Sequence, residues 1–484
     1  MEWVVLIFYL GVLSFIFCYS LGQLHLVMHY RKREKQNINQ QVFETDSWPK
    51  VTVQLPIYNE LYVVDRLIDK IVALDYPSAK LEIQVLDDST DQTVERIAEK
   101  VNYYQKQGVD IQHIRRPERK GFKAGALDYG MKICKGEFLA IFDADFLPDR
   151  DFLKKMVPNF EEGVGVVQAR WGHINRDYSL FTRLQAFGLD AHFTVEQGGR
   201  NAAHSFINFN GTAGVWRKTC IEDAGGWRPD TLTEDLDLSY RAQIKGWKFR
   251  FMEEIEAPAE LPVTMEAIKS QQFRWNKGAA ECARKHLLNV LRQRLPLSTK
   301  LHAVFHLLNS SVFIFLLLAS LCSVPMLWVK AHDEEISKLF HIGNIFLIGF
   351  FSIAYFYWVS VKQMQQYNSE IDSNYYWKNF PVFLMISMGL SLHNSIAVLE
   401  GWFGFKSPFI RTPKFNVTVA GDNYTSNIYV KHRISPQTVI EGMLCLYFLF
   451  GIGLGVQLND FGLVLFHSML AFGFGSICWQ SLKN

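Results

Sequence analysis

Long uncharged apolar segments near both ends of the chain decide its class before any motif is considered. Residues 3–28 contain no Asp, Glu, Lys or Arg. About 20 consecutive apolar residues suffice to cross a bilayer as one helix. Positive charge follows this first run rather than preceding it, which favours an uncleaved anchor over a signal peptide. Further apolar runs occupy residues 304–329, 339–361, 381–403, 438–457 and 461–480. The chain is therefore predicted to be an integral membrane protein.

Basic residues predict the orientation of these segments. They cluster directly after the first run, from Arg31 to Lys35, and the loop 404–437 also contains several. By the positive-inside rule, both regions lie on the cytosolic side. Six crossings would place loop 404–437 outside, so one run must lie flat. Residues 381–403 contain His393, Asn394 and Glu400, which suit the membrane interface. The prediction is five crossings; the alternative is six crossings with an external basic loop.

Composition excludes several other classes of protein. The net charge of the 484-residue chain is +2, so no overall field attracts nucleic acid. The seven cysteines are scattered without a CxxC pair, which argues against a disulfide framework or a zinc site. They are predicted to be reduced packing residues.

Residues 45–260 interleave charged and polar residues with apolar ones, unlike the flanking segments. They are predicted to form a cytosolic domain. Apolar strand patterns lie at 51–57, 81–87, 137–143 and 164–170. Helical patterns lie between them, near 60–74, 91–107, 121–135 and 149–161. Alternation of this kind predicts a mostly parallel α/β sheet that binds its ligand at the carboxyl ends of the strands.

Aspartates stand at two of those strand ends. The run 81–87 leads into Asp87 and Asp88, and the run 137–143 leads into Asp143 and Asp145. Carboxylates this close require a cation, and a hard divalent ion shared with substrate phosphates fits them. Since the chain lacks a GxxxxGK loop, the sequence predicts a diphosphate held through Mg²⁺ or Mn²⁺.

Further motifs supply groups that complement such a ligand. Lys120 and Lys123 stand at a predicted helix start, where phosphate binding is favoured. Thr233 is predicted to cap a helix whose first turn carries acids, which by themselves are ordinary there. The QQFRW segment at 271–275 adds an arginine suited to phosphate and an indole suited to a sugar ring. A carboxylate, a phosphate clamp and a sugar platform together indicate glycosyl transfer.

These motifs, together with VQLPIYNE, QVLDDSTD, VQARW, LDAHFTVEQ, FNGTAGVWR and TEDLDLSYRAQIKGWKF, stand in order between about 51 and 280. In this order they resemble a family-2 glycosyltransferase of the GT-A fold. The resemblance is strongest to the plant cellulose-synthase-like A and C proteins, which make mannan and glucan backbones, and more distant to bacterial cellulose synthase. It implies an α/β GT-A domain inserted between transmembrane helices.

The resemblance also implies roles for individual residues. Asp235 would be the general base, and Asp143 and Asp145 would hold the divalent cation. The donor nucleotide would contact Asp87, Asp88, Lys123, Asp143, Gln271 and Arg274. The acceptor sugar would contact Asn210, Gly211, Thr212, Glu234 and Trp275.

A loop near residue 415 resembles the FxVTxK loop of cellulose synthases. Phe415, Val417 and Thr418 match it, but Ala420 replaces the lysine, so Lys414 or Arg411 are the available substitutes. The predicted layout is an anchor at 1–30, the GT-A domain at 45–260, interfacial helices at 261–300, two crossings at 301–363, an interfacial helix at 381–403, a gating-type loop at 404–437 and two crossings at 438–484.

The predicted function is inverting, metal-dependent transfer of glucose or mannose from UDP-glucose or GDP-mannose to a growing β-linked polysaccharide. Processive extrusion across a plasma, bacterial inner or Golgi-like membrane is expected. One alternative is transfer of a single sugar to a membrane lipid, as in ceramide glucosyltransferases. Another is a membrane scaffold without activity.

Overall fold

A computed structural model describes residues 2–33, 47–407, 410–417, 422 and 435–483. The strands are β1 (Val51–Ile57), β2 (Leu81–Asp87), β3 (Ile111–Ile114), β4 (Phe138–Ile141), β5 (Val164–His173), β6 (Gly214–Arg217) and β7 (Lys248–Ala259). The helices are α1 (Glu2–Lys32), α2 (Val64–Val72), α3 (Thr93–Gln105), α4 (Phe122–Ile133), α5 (Phe152–Met156), α6 (Leu180–Ala191), α7 (Gln197–Ala202), α8 (Lys218–Asp223), α9 (Glu234–Ile244), α10 (Met265–Arg292), α11 (Leu297–Leu307), α12 (Val312–His332), α13 (Glu334–Ile342), α14 (Leu347–Tyr367), α15 (Tyr375–Gly389), α16 (Ser391–Phe403), α17 (Pro436–Gln457) and α18 (Val464–Lys483).

The seven strands form one sheet in the order β3-β2-β1-β4-β6-β5-β7. Strand β6 runs antiparallel to β4 and β5, and the other pairings are parallel. The predicted mostly parallel α/β sheet is therefore confirmed. Strands β1 and β2 have the predicted bounds. The sequence prediction missed β3 and β6, which are four residues each, and β7, whose run contains several charged residues.

Alternation along the strands divides the core between the two faces of the sheet. On one face, Val51, Val53 and Leu55 of β1 pack with α2 and α3. On the other face, Leu139 and Ile141 of β4 pack with α4 and α9. The helices that begin at the carboxyl ends of the strands are thereby fixed around one edge of the sheet. All seven cysteines are free.

Within the part of the chain that the structure describes, three helical segments are long and apolar enough to cross a membrane: α1, residues 309–332 including α12, and α17. The helices α15 and α16 replace the single helix predicted at 381–403. They meet at a 52° bend and would add a fourth segment if they form one broken span. These segments support a membrane protein, whereas the predicted five crossings are not confirmed. The long helices α14 and α18 are not among the segments that qualify.

Candidate active site

One cleft opens at the carboxyl ends of β1, β2 and β4, and α9, α10 and residues 411–414 complete its walls. It brings together most of the residues predicted from the sequence: Asp88, Lys123, Asp143, Asp145, Asn210, Gly211, Glu234, Asp235, Gln271, Arg274 and Trp275. These residues come from segments almost 190 positions apart in sequence, from 88 to 275. The position of the cleft is the one expected for a ligand site in a sheet of this type.

The two aspartates after β4 are each paired with a lysine. Lys123 lies in the first turn of α4, and its Nζ is 2.5 Å from Asp143 Oδ1. Lys414 comes from the loop after α16, and its Nζ is 2.6 Å from Asp145 Oδ2. Each of the two carboxylates therefore faces the cleft beside the positively charged ammonium group of a lysine.

This donor set fits a divalent ion that takes the rest of its ligands from a substrate. Among the described residues, no group of three or more His, Cys, Asp and Glu side chains gathers as a metal site. Magnesium and manganese sites with one or two carboxylates and substrate phosphates are common for nucleotide substrates. The ammonium groups of Lys123 and Lys414 show that Asp143 and Asp145 form a place where positive charge is stabilised.

The carboxylate of Asp235 lies deep in the cleft, in the first turn of α9. Burial and the neighbouring Glu234 raise its pKa to about 7, although Lys123 opposes this shift. Burial also raises the pKa of Glu234. A carboxyl group with a pKa near neutrality is suited to accept a proton at physiological pH.

A glycine permits close approach of the backbone to the Asp235 carboxylate. Gly211 has a φ of +79°, and a Cβ added there would lie 3.0 Å from Asp235 Oδ2. Any larger residue would be strained and would crowd the carboxylate. The Gly211 carbonyl also accepts a hydrogen bond of 2.9 Å from Lys123 Nζ. The segment around residue 211 therefore lies beside Asp235 and is hydrogen-bonded to the α4 lysine.

Helix α10 carries Gln271, Arg274 and Trp275 into the cleft. It is tied to α9 through Asp237, whose side chain is fully buried and lies 2.7 Å from both His286 and Lys285. This anchor sets the first turn of α9 against α10. Burial lowers the pKa of Arg274, whereas the negative charge of Asp143 and Glu234 opposes that shift. A guanidinium group stays charged at neutral pH, so the cleft contains a half-buried cation that can bind phosphate.

Two predicted residues lie outside the cleft. The side chain of Asp87 is fully buried and bonded to His113 at 2.8 Å and to the Ser89 amide at 2.8 Å. Thr212 is also buried, and its Oγ1 accepts a hydrogen bond of 2.9 Å from the Asp143 amide. Both side chains brace neighbouring residues, and neither is among those that line the cleft. Their contacts with donor and acceptor stay predictions.

Sequence reasoning missed three cleft residues: Tyr58 and Glu60, in the segment after β1, and Arg119, between β3 and α4. The guanidinium of Arg119 lies 3.3 Å from the centre of the Tyr58 ring, and both residues line the cleft. Glu60 pairs with Arg411 at 2.5 Å, and burial raises the pKa of Glu60 to about 7. Tyr58 and Glu60 belong to the motif VQLPIYNE. That motif was part of the family resemblance, but no role was predicted for its residues.

The loop after α16 reaches into the cleft in the described residues. Phe415 and Val417 are buried against Val263, and the Phe415 amide donates to Glu260 at 2.9 Å. This fixes Arg411 and Lys414 at the cleft wall. The matching Thr418 and the divergent Ala420 lie outside the described residues.

Part of the chain, including the strands that form the sheet, matches a known protein family. Residues 49–278 match the family described as glycosyltransferase like family 2. This segment is a family-2 glycosyltransferase domain. The family suggested by the sequence motifs is thereby confirmed, and the predicted sheet with its cleft belongs to this glycosyltransferase domain.

The glycosyltransferase domain has plant relatives. Glucomannan 4-beta-mannosyltransferase 1 of Oryza sativa subsp. japonica is 42% identical over 269 residues, which are 54% of this chain and 52% of the relative. Glucomannan 4-beta-mannosyltransferase 2 of Arabidopsis thaliana is 42% identical over 256 residues, 52% of this chain and 48% of the relative. The chain spans about half the length of the curated relatives it matches.

A solved structure shares the fold. The mannosyltransferase PcManGT of Pyrobaculum calidifontis, determined with GDP-Man and Mn²⁺, aligns with a TM-score of 0.57 over 83% of this chain and all of that chain. Its sequence identity is 18%, so the likeness concerns the fold. It supports the GT-A-like arrangement of the glycosyltransferase domain.

Proposed function

We propose that this protein transfers mannose from GDP-mannose to a growing β-linked mannan or glucomannan chain, with inversion at the anomeric carbon. The observation that carries the proposal is the single cleft in which Asp235, Arg274 and the aspartate pair after β4 meet. The mannosyltransferase names of the plant relatives favour mannose over glucose as the transferred hexose.

In the proposed reaction, a hydroxyl oxygen of the acceptor attacks the anomeric carbon of the donor sugar. Asp235 removes the hydroxyl proton as the new C–O bond forms, which is typically worth about 10²–10⁴-fold in rate. The bond from the anomeric carbon to the nucleotide diphosphate breaks in the same step. A single displacement inverts the configuration, so an α-linked donor gives a β-linked product.

The leaving diphosphate gains negative charge, and Arg274 and Lys123 are placed to stabilise it. Asp143 and Asp145 would hold a divalent cation, which supplies further electrostatic stabilisation of phosphate oxygens when it is bound. Asp88 would contact the nucleoside, and Trp275 would stack against the acceptor sugar.

The membrane segments suggest where the product goes. Helix α10 carries the acceptor side of the cleft and packs against α16, next to the apolar segment 309–332. We infer that the domain faces the cytosol, given the basic residues after α1, and that the polymer leaves through the membrane as it grows. Processivity follows if the elongated chain remains bound beside Trp275.

Product analysis tests this function. The purified full-length protein is incubated with GDP-mannose or UDP-glucose, in the presence of Mn²⁺ or Mg²⁺. We expect a polymer from GDP-mannose that a β-mannanase digests. A lipid-soluble monoglycoside would instead establish transfer to a membrane lipid, and a β-glucanase-sensitive polymer from UDP-glucose alone would overturn the assignment of mannose.

The fall in kcat/KM on the acidic side of the pH profile should report the protonation of Asp235. Because Asp235 must be ionised to accept a proton, kcat/KM for the donor should fall with decreasing pH below about 7, the value to which its pKa is raised. The measurement is initial rates from pH 5.5 to 9 under subsaturating donor. A profile that stays flat between pH 5.5 and 7 would exclude this carboxyl as the titrating base.

Metal removal should abolish transfer. Treatment with a chelator is expected to stop mannose incorporation, and added Mn²⁺ or Mg²⁺ should restore it. Asp145→Asn should raise the Mn²⁺ concentration required for half-maximal rate by about 10-fold or more, since one of two charged ligands is lost. The matched control is Asp149→Asn, an exposed acid just beyond the cleft. Full activity in excess chelator would contradict metal dependence.

A further inference from the structure

A short stretch of π-helix interrupts the helical segment behind the acceptor side of the cleft. It spans His192–Glu196, between α6 and α7, and lies within the LDAHFTVEQ motif. Turns of this kind are rare and occur frequently at functional sites. Among the described residues, none of its side chains lines the cleft. Any contribution of this segment to the reaction must therefore act through a residue that does line the cleft.

Three side chains of this region form a column along one helix face. His192 Nδ1 lies 2.7 Å from Glu196 Oε2, and Glu196 pairs with Arg200 four residues further on. Arg200 has a side chain that is only 2% exposed. Burial opposes ionisation of Glu196, yet Arg200 and His192 hold its pKa well below the usual range. Glu196 is therefore a carboxylate and accepts hydrogen bonds only.

That carboxylate fixes the tautomer of the histidine. Because Glu196 can only accept, His192 Nδ1 carries the hydrogen, and in the neutral ring Nε2 is then an acceptor. His192 Nε2 lies 3.0 Å from Asn210 Nδ2. The Asn210 amide nitrogen therefore donates to the ring. Gln197 completes the arrangement, since its Nε2 donates to Asn210 Oδ1 at 2.8 Å.

Asn210 is held in one amide orientation by these two contacts. Its backbone N–H also donates to Gln168 Oε1 at 3.1 Å. An asparagine amide has two N–H donors, and within the described part of the chain only one of them is used, in the contact with His192. Asn210 itself lines the cleft, and a Cβ added at its neighbour Gly211 would lie 3.0 Å from Asp235 Oδ2. The second N–H therefore belongs to a side chain that lines the same cleft as the proposed base.

We propose that His192 is a positioning residue for the acceptor: it orients the Asn210 amide so that the free N–H donates to a hydroxyl oxygen of the incoming sugar beside Asp235. The inference rests on the proposed function, because it takes a glycan hydroxyl as the ligand. Glu196 and Arg200 act further back, by holding the histidine ring in the required tautomer.

The decisive comparison is between His192→Leu and His192→Gln. Leucine removes the acceptor for Asn210, whereas glutamine can accept from Asn210 through Oε1 and donate to Glu196 through Nε2. With a β-linked manno-oligosaccharide as acceptor and GDP-mannose as donor, His192→Leu should raise the KM for the acceptor by about 10-fold, the cost of one hydrogen bond. His192→Gln should stay within about three-fold of the wild type, a difference smaller than one hydrogen bond.

The readouts separate positioning from general damage. In the absence of acceptor, hydrolysis of GDP-mannose by water and binding of GDP should be unchanged in His192→Leu. Asn210→Ala should show the same acceptor defect, and the double variant should be no worse, since both act through one contact. The control is His204→Asn, an exposed histidine of the same region.

Three negative outcomes are distinguishable. A wild-type protein that uses manno-oligosaccharides, with an unchanged acceptor KM in His192→Leu, overturns the role of His192 and leaves the proposed function standing. Equal loss of hydrolysis, GDP binding and transfer in that variant shows a structural role and also overturns it. A wild-type protein that binds GDP but uses no such acceptor overturns the proposed function and the acceptor role together.

Discussion

Asp235→Asn should reduce mannosyl transfer by about 10²–10⁴-fold, the contribution expected of a general base. Asparagine preserves the size of the side chain but cannot accept the hydroxyl proton. The measurement is the initial rate with saturating GDP-mannose and Mn²⁺, compared with equilibrium binding of GDP. Binding should be retained within about two-fold, a difference below 1.4 kcal/mol.

The same variant should not be destabilised. Because burial and Glu234 raise the pKa of Asp235, its ionised form disfavours the folded state. That penalty grows as the pH rises from about 4, the unperturbed value, toward the folded-state value, and is constant above it. Thermal unfolding of Asp235→Asn at pH 8 should therefore occur at the wild-type temperature or above it.

A matched substitution controls for the loss of a carboxylate in the same segment. Asp230 precedes α9, is exposed and pairs with Lys285 outside the cleft. Asp230→Asn should leave turnover within about two-fold of the wild type, as surface substitutions usually do. Wild-type turnover in Asp235→Asn would remove this residue from the mechanism.

Arg274→Ala is expected to lower kcat by about 10²–10³-fold, comparable to the loss of one preorganised group at a site of developing charge. The substitution removes a half-buried cation from a cleft that contains Asp143, Asp145, Glu234 and Asp235. The repulsion left among these acids should also weaken donor binding. Arg274→Lys should recover part of the loss, because it restores charge without the bidentate fork.

The control for this variant is Arg292→Ala, in the last turn of the same helix and exposed. Both kcat and the KM for GDP-mannose should remain near the wild-type values there. If Arg274→Ala turned over at the wild-type rate, the leaving group would have to be stabilised by other residues of the cleft.

The sequence predicted the parts of the fold that depend on local pattern. Strands β1 and β2 were predicted at their observed bounds because they are apolar runs enclosed by turns. The short strands β3 and β6 lack enough residues to show a pattern, and pairing with their neighbours defines them. The bend between α15 and α16 likewise depends on packing that hydropathy does not encode.

The candidate site also has parts that the local sequence predicts and parts that only tertiary contacts define. Side chains of adjacent residues at a strand end point in different directions, so the sequence could not decide between Asp87 and Asp88. Only Asp88 lines the cleft. The pairs Glu60–Arg411 and Asp145–Lys414 join residues hundreds of positions apart, and His192 acts through Asn210. Such contacts are set by the tertiary fold.

The most direct test of the account is an experimental structure of the full-length protein with GDP and Mn²⁺, with the ion located by its anomalous scattering. The account predicts Mn²⁺ at the carboxylates of Asp143 and Asp145, with the diphosphate between it and Arg274. It also predicts that Lys414 has left Asp145. A nucleotide bound elsewhere, or a diphosphate that contacts neither Arg274 nor the ion, would contradict it.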